Sequence, residues 1–453
     1  MLSDYLLTLK GKKVSIIGAG VSNTPLIRML WDICALTVHD KKKEEDFDEG
    51  FLKELYAHNV TLVTGDGYLD YLGGDVIFRT PGVRPDMPAL LRAKERGAII
   101  TSEMDVFFSL CPCPVTAITG SDGKTTTSTL VSEMYKAQGF TVHLGGNIGT
   151  PLLPRLDEIK AEHRVVVELS SFQLMDMTHS PHIAVITNVT PNHLDWHKGM
   201  EEYSDAKKRL LKYQTSADLC VLNLDDSTTR SFASDTLAKV SFFSMEKQES
   251  GFSFDGENLL RDGKAFLSAK DMRIPGKHNI ANFLTAASAV WGEVSLEAMI
   301  QVARNFTGVE HRIEFVREIN GVKYYNDSIA SSPTRAAAAL NCFENIILIA
   351  GGYDKKIAFD ELGELICQKV DTLLLCGATA EKIEKAVLDA KYSKKPQIYT
   401  YANLTDTVNA AHSLAKDGDV VLFSPACASF DFFANFAVRG RFFKDLVNRL
   451  KEE

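Results

Sequence analysis

The segment Thr119-Gly120-Ser121-Asp122-Gly123-Lys124-Thr125-Thr126 joins a β-branched apolar run, VTAIT, directly to a stretch of helical periodicity from Lys124 to about Ala137. A glycine-rich turn linking a buried strand to a helix is a βα unit, and a chain that holds one must supply a parallel sheet for the strand. Backbone N–H groups at such a turn, with the positive end of the helix behind them, cradle phosphate. The lysine adds a point charge, and the threonine hydroxyl reaches a divalent cation. Ile118 stands where the first glycine of the common phosphate-loop pattern would be, so the Gly-Lys-Thr ending carries the reading. An ordinary glycine turn with a surface lysine is the competing account.

The same alternation recurs on both sides of this loop. KVSII stops at Gly18-Ala19-Gly20, ALTVHD ends at Asp40, and VTLVTG and DVIFRTPG follow, the last closing in the turn Thr80-Pro81-Gly82. The two prolines of CPCP, residues 111–114, cannot continue a helix and mark a linker. Beyond it, VTAIT, RVVVELS, HIAVITNV and DLCVLNLD are continuous apolar runs, as a parallel sheet covered on both faces requires. Residues 240–275 are short alternating pieces separated by turn residues, which predicts a small antiparallel patch, and HNIANFLTAASAV reads as a helix. From about residue 311, VKYYND, NIILIAGG, TLLLCG, QIYTY and DVVLFSP alternate with helical stretches. The prediction is an α/β protein of three domains. These are a Rossmann-like domain at 1–108, a central phosphate-loop domain at 109–310 with a mostly parallel sheet and a small antiparallel patch, and a Rossmann-like domain at 311–453. A length of 453 residues agrees with this at roughly 150 residues per domain.

Charge narrows the function. Lys and Arg total 50 and Asp and Glu 59, a net charge of −9, which argues against a nucleic-acid or anionic-membrane binder held by bulk positive charge. No uncharged apolar run approaches the roughly 18 residues of a membrane span, and residues 1–13 show no basic and apolar leader, so a cytoplasmic protein with no membrane partner is expected. The 8 cysteines are scattered apart from Cys111 and Cys113, and free thiols are expected.

Several polar residues stand where open α/β sheets place ligands, at the carboxyl ends of strands. Asp40 follows the Gly18-Ala19-Gly20 turn in the manner of a dinucleotide fingerprint, but Asn23 occupies the third glycine position, leaving a phosphate-bearing ligand and a purely structural turn both open. Glu168 ends the RVVVE run, placed to hold Mg²⁺ or to cap the next helix. His193, Asp195 and His197 in NVTPNHLDWH are spaced either as metal ligands or as a polar surface turn, whereas Lys207 in YSDAKKRLL reads locally as a solvated helix lysine. Arg312, then Asn326-Asp327-Ser328, then Ser424 to Ser429 gather polar groups at the ends of the later strands.

Taken in order, GAGVS, TPG, TGSDGKTT, GGNIGTP, ELSSFQL, NVTPNHLDWH, YSDAK, GKHNIAN, HRIE, NDSIAS, GGYDKK and SPACASFDFFANFAVRG resemble the Mur ligases of bacterial cell-wall synthesis over essentially the whole chain. ELSSFQL and the last segment resemble the D-glutamate-adding branch. The resemblance implies ATP-dependent ligation of D-glutamate to UDP-N-acetylmuramoyl-L-alanine through an acyl phosphate, with Mg²⁺, two ions being expected, and a monomeric enzyme. It implies ATP contacts at Gly120, Ser121, Asp122, Gly123, Lys124, Thr125, Thr126, Asn279, Asn282, Arg312 and Asp327, and metal ligation by Thr125, Glu168 and His193. Lys207 aligns with a lysine that the family carbamylates, which makes it a further metal ligand. Lys124, Lys207, His193 and Glu168 are the implied catalytic set. Gly18, Ser22, Asp40, Lys41, Thr80, Pro81, Gly82 and Asn147 would surround the UDP substrate, and Lys355, Ser429, Phe430 and Phe436 would surround D-glutamate. Three departures stand out. Asn192 replaces an acidic residue before the metal-side histidine, Ile329 and Ser331 replace Lys and Thr in NDSKATN, and Tyr353-Asp354 replaces Asp-Gly, which leaves Lys355 or Lys356 as the implied lysine.

Overall fold

In the computed structural model, which describes residues 2–20, 22–194, 196–246 and 250–451, the apolar runs are strands of three separate sheets. The first is all parallel, in the spatial order Thr61–Thr64, Ala35–Asp40, Lys13–Ile17, Val76–Phe78, Ile99–Thr101. Both neighbours of Lys13–Ile17 are reached by crossovers, so the chain reverses direction across the sheet beside this strand, and the loop at its carboxyl end lies at the switch point. Ile99–Thr101 was not visible in sequence because three residues at a sheet edge show no pattern.

The second sheet has nine strands. Val115–Thr119 lies between Arg164–Glu168 and Ile183–Ile186, buried along its whole length, so the loop that follows it emerges from the middle of the sheet. The parallel part runs on through Leu219–Asn223 to Lys239–Phe243. The antiparallel patch is therefore narrower than residues 240–275, comprising Phe252–Phe254, Asn258–Arg261 and Lys264–Ser268. Val142–Gly146, an outer strand ending in two glycines, escaped the sequence reading. The predicted helix is Lys277–Val290.

The third sheet has six strands, with the five runs named above parallel to one another and Glu314–Ile319 added antiparallel at one edge. Chain contacts group the molecule into two compact units, residues 1–271 with 278–303, and residues 272–277 with 304–453. In the first unit the apolar residues of the first two sheets share one core, from Val14 and Phe78 to Val167 and Leu222. The second has its own core on both faces of its sheet. All eight cysteines are free thiols, and five of them are buried. Among the described residues, no helix is long and apolar enough to cross a membrane.

Candidate active site

The glycine loop is held in shape by the strand beside it. Ser121 N–H donates to Asn188 O and Asp122 N–H to Asn188 Oδ1, each at 2.9 Å, while the Thr187 hydroxyl donates to Asp122 O at 2.6 Å. Two glycines are demanded by close approach. A Cβ on Gly120 would lie 1.9 Å from Thr187 Oγ1, and one on Gly123, at φ +79°, would lie 2.2 Å from Asn282 Oδ1. Asn282 is thus seated against the loop, with Asn279 buried on the same helix. Gly123 is the N-cap of the helix Lys124–Ala137, whose first N–H groups carry the positive end of its dipole. The Ser121 hydroxyl turns inward, 2.9 Å from both Thr190 O and the Tyr203 hydroxyl, so what this residue offers the loop is its backbone.

Glu168 and Thr125, distant in sequence, meet here. The Thr125 hydroxyl donates to Glu168 Oε2 at 2.7 Å, and Asn147 Nδ2 donates to Oε1 at 2.8 Å. The meeting depends on Gly146, at φ +93°, because a Cβ there would lie 2.3 Å from Glu168 O. A hydroxyl and a buried carboxylate beside a phosphate cradle suit Mg²⁺, which takes oxygen ligands and keeps several waters and phosphate oxygens in its shell. Among the described residues, no three of His, Cys, Asp and Glu cluster as metal ligands, so the fit rests on this oxygen pair.

The two histidines of NVTPNHLDWH part company. His193 is exposed, at φ +55°, with its ring edge-on to Phe172 at 5.0 Å. His197 is buried, 2.9 Å from Ser171 Oγ through Nε2 and 3.3 Å from Glu202 through Nδ1. Burial lowers its pKa, and a carboxylate can only accept, so the neutral ring donates from Nδ1 to Glu202 and accepts from Ser171. Asp195 lies outside the described residues.

Lys207 is not solvated. It lies in the last turn of the helix Met200–Lys208 with 1% exposure, its Nζ donating to Gly120 O at 2.7 Å and lying 4.5 Å from the centre of the Tyr203 ring. Burial, and secondarily the charge of Lys124, lowers its pKa from 10.5 to about 7.

At the first sheet's switch point, Gly18 at φ +84° stands beside the Thr80 side chain, 3.4 Å from where its Cβ would be. Asp40 Oδ2 accepts from Ala19 N–H and Oδ1 from Lys42 N–H, both at 2.8 Å, while Asn23 Nδ2 donates to Ile17 O and Gly18 O. The asparagine in the third glycine position is therefore a buried brace of the turn. Ser22 and Lys41 are exposed beside it.

In the second unit, Asp327 is buried, accepting from the Ser424 hydroxyl at 2.7 Å and Ile313 N–H at 3.3 Å. Burial pushes its pKa up to about 7, with Arg312 among the charges that oppose the shift. Lys355 lines a small cleft with Ser331, Tyr353, Ala426 and Cys427, and Tyr353 packs edge-on against Phe430 at 5.8 Å. Ser429 is buried, whereas Phe430 and Phe436 are exposed.

Residues 118–290 match the Mur ligase middle domain and residues 311–427 the Mur ligase glutamate ligase domain. Over 463 aligned positions the chain is 50% identical to UDP-N-acetylmuramoylalanine--D-glutamate ligase of Acetivibrio thermocellus, with 99% of each chain covered. The chain belongs to the Mur ligase family. It is also 51% identical to the Clostridium botulinum (strain Langeland) protein of the same name, covering 98% of each. Two solved Mur ligases share the fold. One is the UDP-N-acetylmuramate-alanine ligase of Thermotoga maritima (TM-score 0.58, 18% identity, 97% and 100% coverage). The other is a UDP-N-acetylmuramoyl-L-alanyl-D-glutamate–2,6-diaminopimelate ligase (TM-score 0.60, 16% identity, 98% and 94% coverage). This Mur ligase is accordingly an ATP-dependent, amide-bond-forming enzyme of peptidoglycan precursor synthesis that uses Mg²⁺.

Sequence reasoning missed three arginines of this Mur ligase. Arg79 and Arg84 flank the 80–82 turn and reach into the second sheet's loops, and Arg439 is buried beneath the SPACAS loop, donating to Ser328, Cys427 and Ala428. None lies in a glycine-rich or acidic motif. For Arg79 and Arg84 the available signal was position, beside a turn at a strand's carboxyl end, whereas Arg439 lies within the helix Phe436–Arg449.

Proposed function

We propose that the enzyme joins D-glutamate to UDP-N-acetylmuramoyl-L-alanine, consuming ATP and releasing ADP and phosphate. The observation that carries this reading is the 50% identity along the whole chain to relatives bearing that name, supported by the Thr125–Glu168–Asn147 contact beside the glycine loop. Domains at 1–108, 109–310 and 311–453 would bind the UDP substrate, ATP, and the nucleotide with the amino acid, respectively.

In this reading the acceptor carboxylate attacks the γ-phosphorus in line, the bond to the β-phosphate oxygen breaks, and ADP leaves an acyl phosphate. Lys124 and the N–H groups of residues 120–126 balance the charge on the transferring group. Thr125 and Glu168, with His193 as the further proposed ligand, would hold Mg²⁺, which would supply further neutralisation of the phosphates. The neutral amine of D-glutamate then attacks the acyl carbon, the tetrahedral oxyanion collapses, and phosphate departs. Asn279, Asn282, Arg312 and Asp327 hold the nucleotide. Gly18, Ser22, Asp40, Lys41, residues 80–82 and Asn147 hold the UDP substrate. Lys355, favoured over Lys356 because it lines the Ser331 cleft, holds D-glutamate together with Ser429, Phe430 and Phe436. Lys207, buried and with its pKa lowered toward neutrality, is suited to react with CO₂, because only the free amine does so. The carbamate would turn a cation into an oxygen ligand for a second Mg²⁺. A monomer, working in the cytoplasm where ATP is supplied, completes the proposal.

The test is phosphate release from ATP with UDP-N-acetylmuramoyl-L-alanine and, in parallel, D-glutamate, L-glutamate, L-alanine or no amino acid. Release that requires D-glutamate is expected. Release with L-alanine instead would move the enzyme to a sister step, and ATP binding without acceptor-dependent release would mean a nucleotide-gated switch.

A further inference from the structure

The two arginines that bracket the 80–82 turn have no part in the chemistry above, yet both are fully engaged, Arg84 gripping Asp86 on its own side as well as the partners described below. Arg79 is 2% exposed. Its Nη1 donates to the carbonyls of Thr80, Pro81 and Val83 at 3.2, 3.4 and 2.7 Å, gripping its own turn from inside. Its other side forks onto the Asp176 carboxylate through Nε, at 2.7 Å, and Nη2, and Nη2 also donates to Phe172 O at 3.1 Å. Asp176 and Phe172 belong to the short segment that follows Glu168. On the far side of the turn, Arg84 forks onto Glu202 at 2.7 and 3.0 Å, donates to Trp196 O at 2.7 Å, and stacks its guanidinium 4.9 Å from the centre of the Trp196 ring.

These two grips close into a circuit. Glu202 accepts from His197, which is bonded to Ser171, and Ser171 opens the same short helix, Ser171–Leu174, whose Phe172 carbonyl Arg79 holds. Glu202 also lies on the helix Met200–Lys208, whose last turn carries buried Lys207. The turn of the first sheet is thereby fastened to the segment behind Glu168 and to the helix that carries Lys207, by bidentate arginine–carboxylate pairs of fixed geometry.

We propose that Arg79 and Arg84 are positioning residues that hold the Glu168 and Lys207 segments in register with the 80–82 turn, so that metal-dependent binding of the nucleotide phosphates requires this clamp. The inference rests on the reading of Glu168 and Lys207 as metal-side groups. Neither arginine itself contacts the glycine loop, Asn279 or Asn282, and the clamp reaches the loop only indirectly, through Tyr203 and Lys207, so the metal-independent part of nucleotide binding should change little.

The test is calorimetric titration of the full chain with ADP, with and without Mg²⁺, for the wild type, Arg84→Met, Arg84→Lys and Glu202→Gln. Arg84→Met should leave metal-free ADP affinity within about twofold and reduce the gain in affinity that Mg²⁺ confers by about fivefold or more. Arg84→Lys, which keeps the charge but loses the fork, should recover part of it. Glu202→Gln breaks the same contact from the other side and should reproduce the loss even if the arginine variant folds poorly. An undiminished Mg²⁺ gain in both variants, or an equal loss of affinity with and without metal, would overturn the proposal. A wild type that binds Mg²⁺ and ADP but releases no phosphate with the acceptor would defeat the proposed function and leave the clamp to be judged by these titrations.

Discussion

Lys124 Nζ and Lys207 Nζ donate to the same oxygen, the carbonyl of Gly120, at 2.9 and 2.7 Å. Two ammonium groups gathered on one carbonyl repel each other, and only one of them is buried. The buried one, Lys207, therefore carries most of the pKa shift, with desolvation as the larger cause and Lys124 as the second. The loop that cradles phosphate is thus also what makes its neighbouring lysine chemically unusual.

Carbamate formation at Lys207 should follow from this. Because its pKa falls from 10.5 to about 7, the free amine should predominate above about pH 7, three units below an ordinary lysine. With ¹³C-bicarbonate, a single carbamate resonance should grow in as pH rises through 7 and be absent in Lys207→Ala. Lys124→Met removes a like charge, so the onset should move to higher pH. An onset near pH 10 in the wild type would contradict the assignment.

Lys124→Ala should fold and yet lose turnover by about 10²–10³-fold, the scale of removing one preorganised donor from a developing charge. Circular dichroism and steady-state phosphate release separate the two effects, and unchanged turnover would remove Lys124 from the phosphate site.

Gly123→Ala should destabilise the loop by about 1–3 kcal/mol, because the residue sits at φ +79° and its Cβ would meet Asn282 Oδ1 at 2.2 Å. Gly139, also at positive φ but with open space around its Cβ position, should tolerate alanine with a smaller drop in the urea midpoint.

Glu103 makes a pH prediction about stability rather than chemistry. Burial raises its carboxyl from 4.5 to about 7, against the opposing effect of the Leu153 N–H that it accepts at 2.8 Å. Between these values the folded chain binds more protons than the unfolded one, so this group's contribution to stability falls as pH rises from about 4.5 to about 7 and is constant above that. Glu103→Gln keeps an acceptor and removes the titration. Urea midpoints of wild type and variant should therefore diverge, in the variant's favour, between pH 5 and pH 8, and parallel midpoints would refute the shift.

The sequence by itself determined the sheets and the loop. VTAIT, RVVVE and IILIA are uninterrupted apolar runs because a strand covered on both faces must be apolar at every position, and that demand is written locally. The same holds for Gly120 and Gly123, whose need for space shows as glycine in a motif, and the whole-chain order of motifs was enough to reach the family. What only the tertiary structure decided are the relationships between segments far apart in the chain. Examples are Lys207 drawn from a polar helix into the loop's interior, Thr125 meeting Glu168 across the sheet, His197 set apart from His193, and Arg79 and Arg84 spanning two sheets. A lysine five residues from a glutamate has the same local pattern whether it faces water or a buried carbonyl. Its burial depends on what packs over it, and that is fixed by long-range contacts which no window of sequence contains.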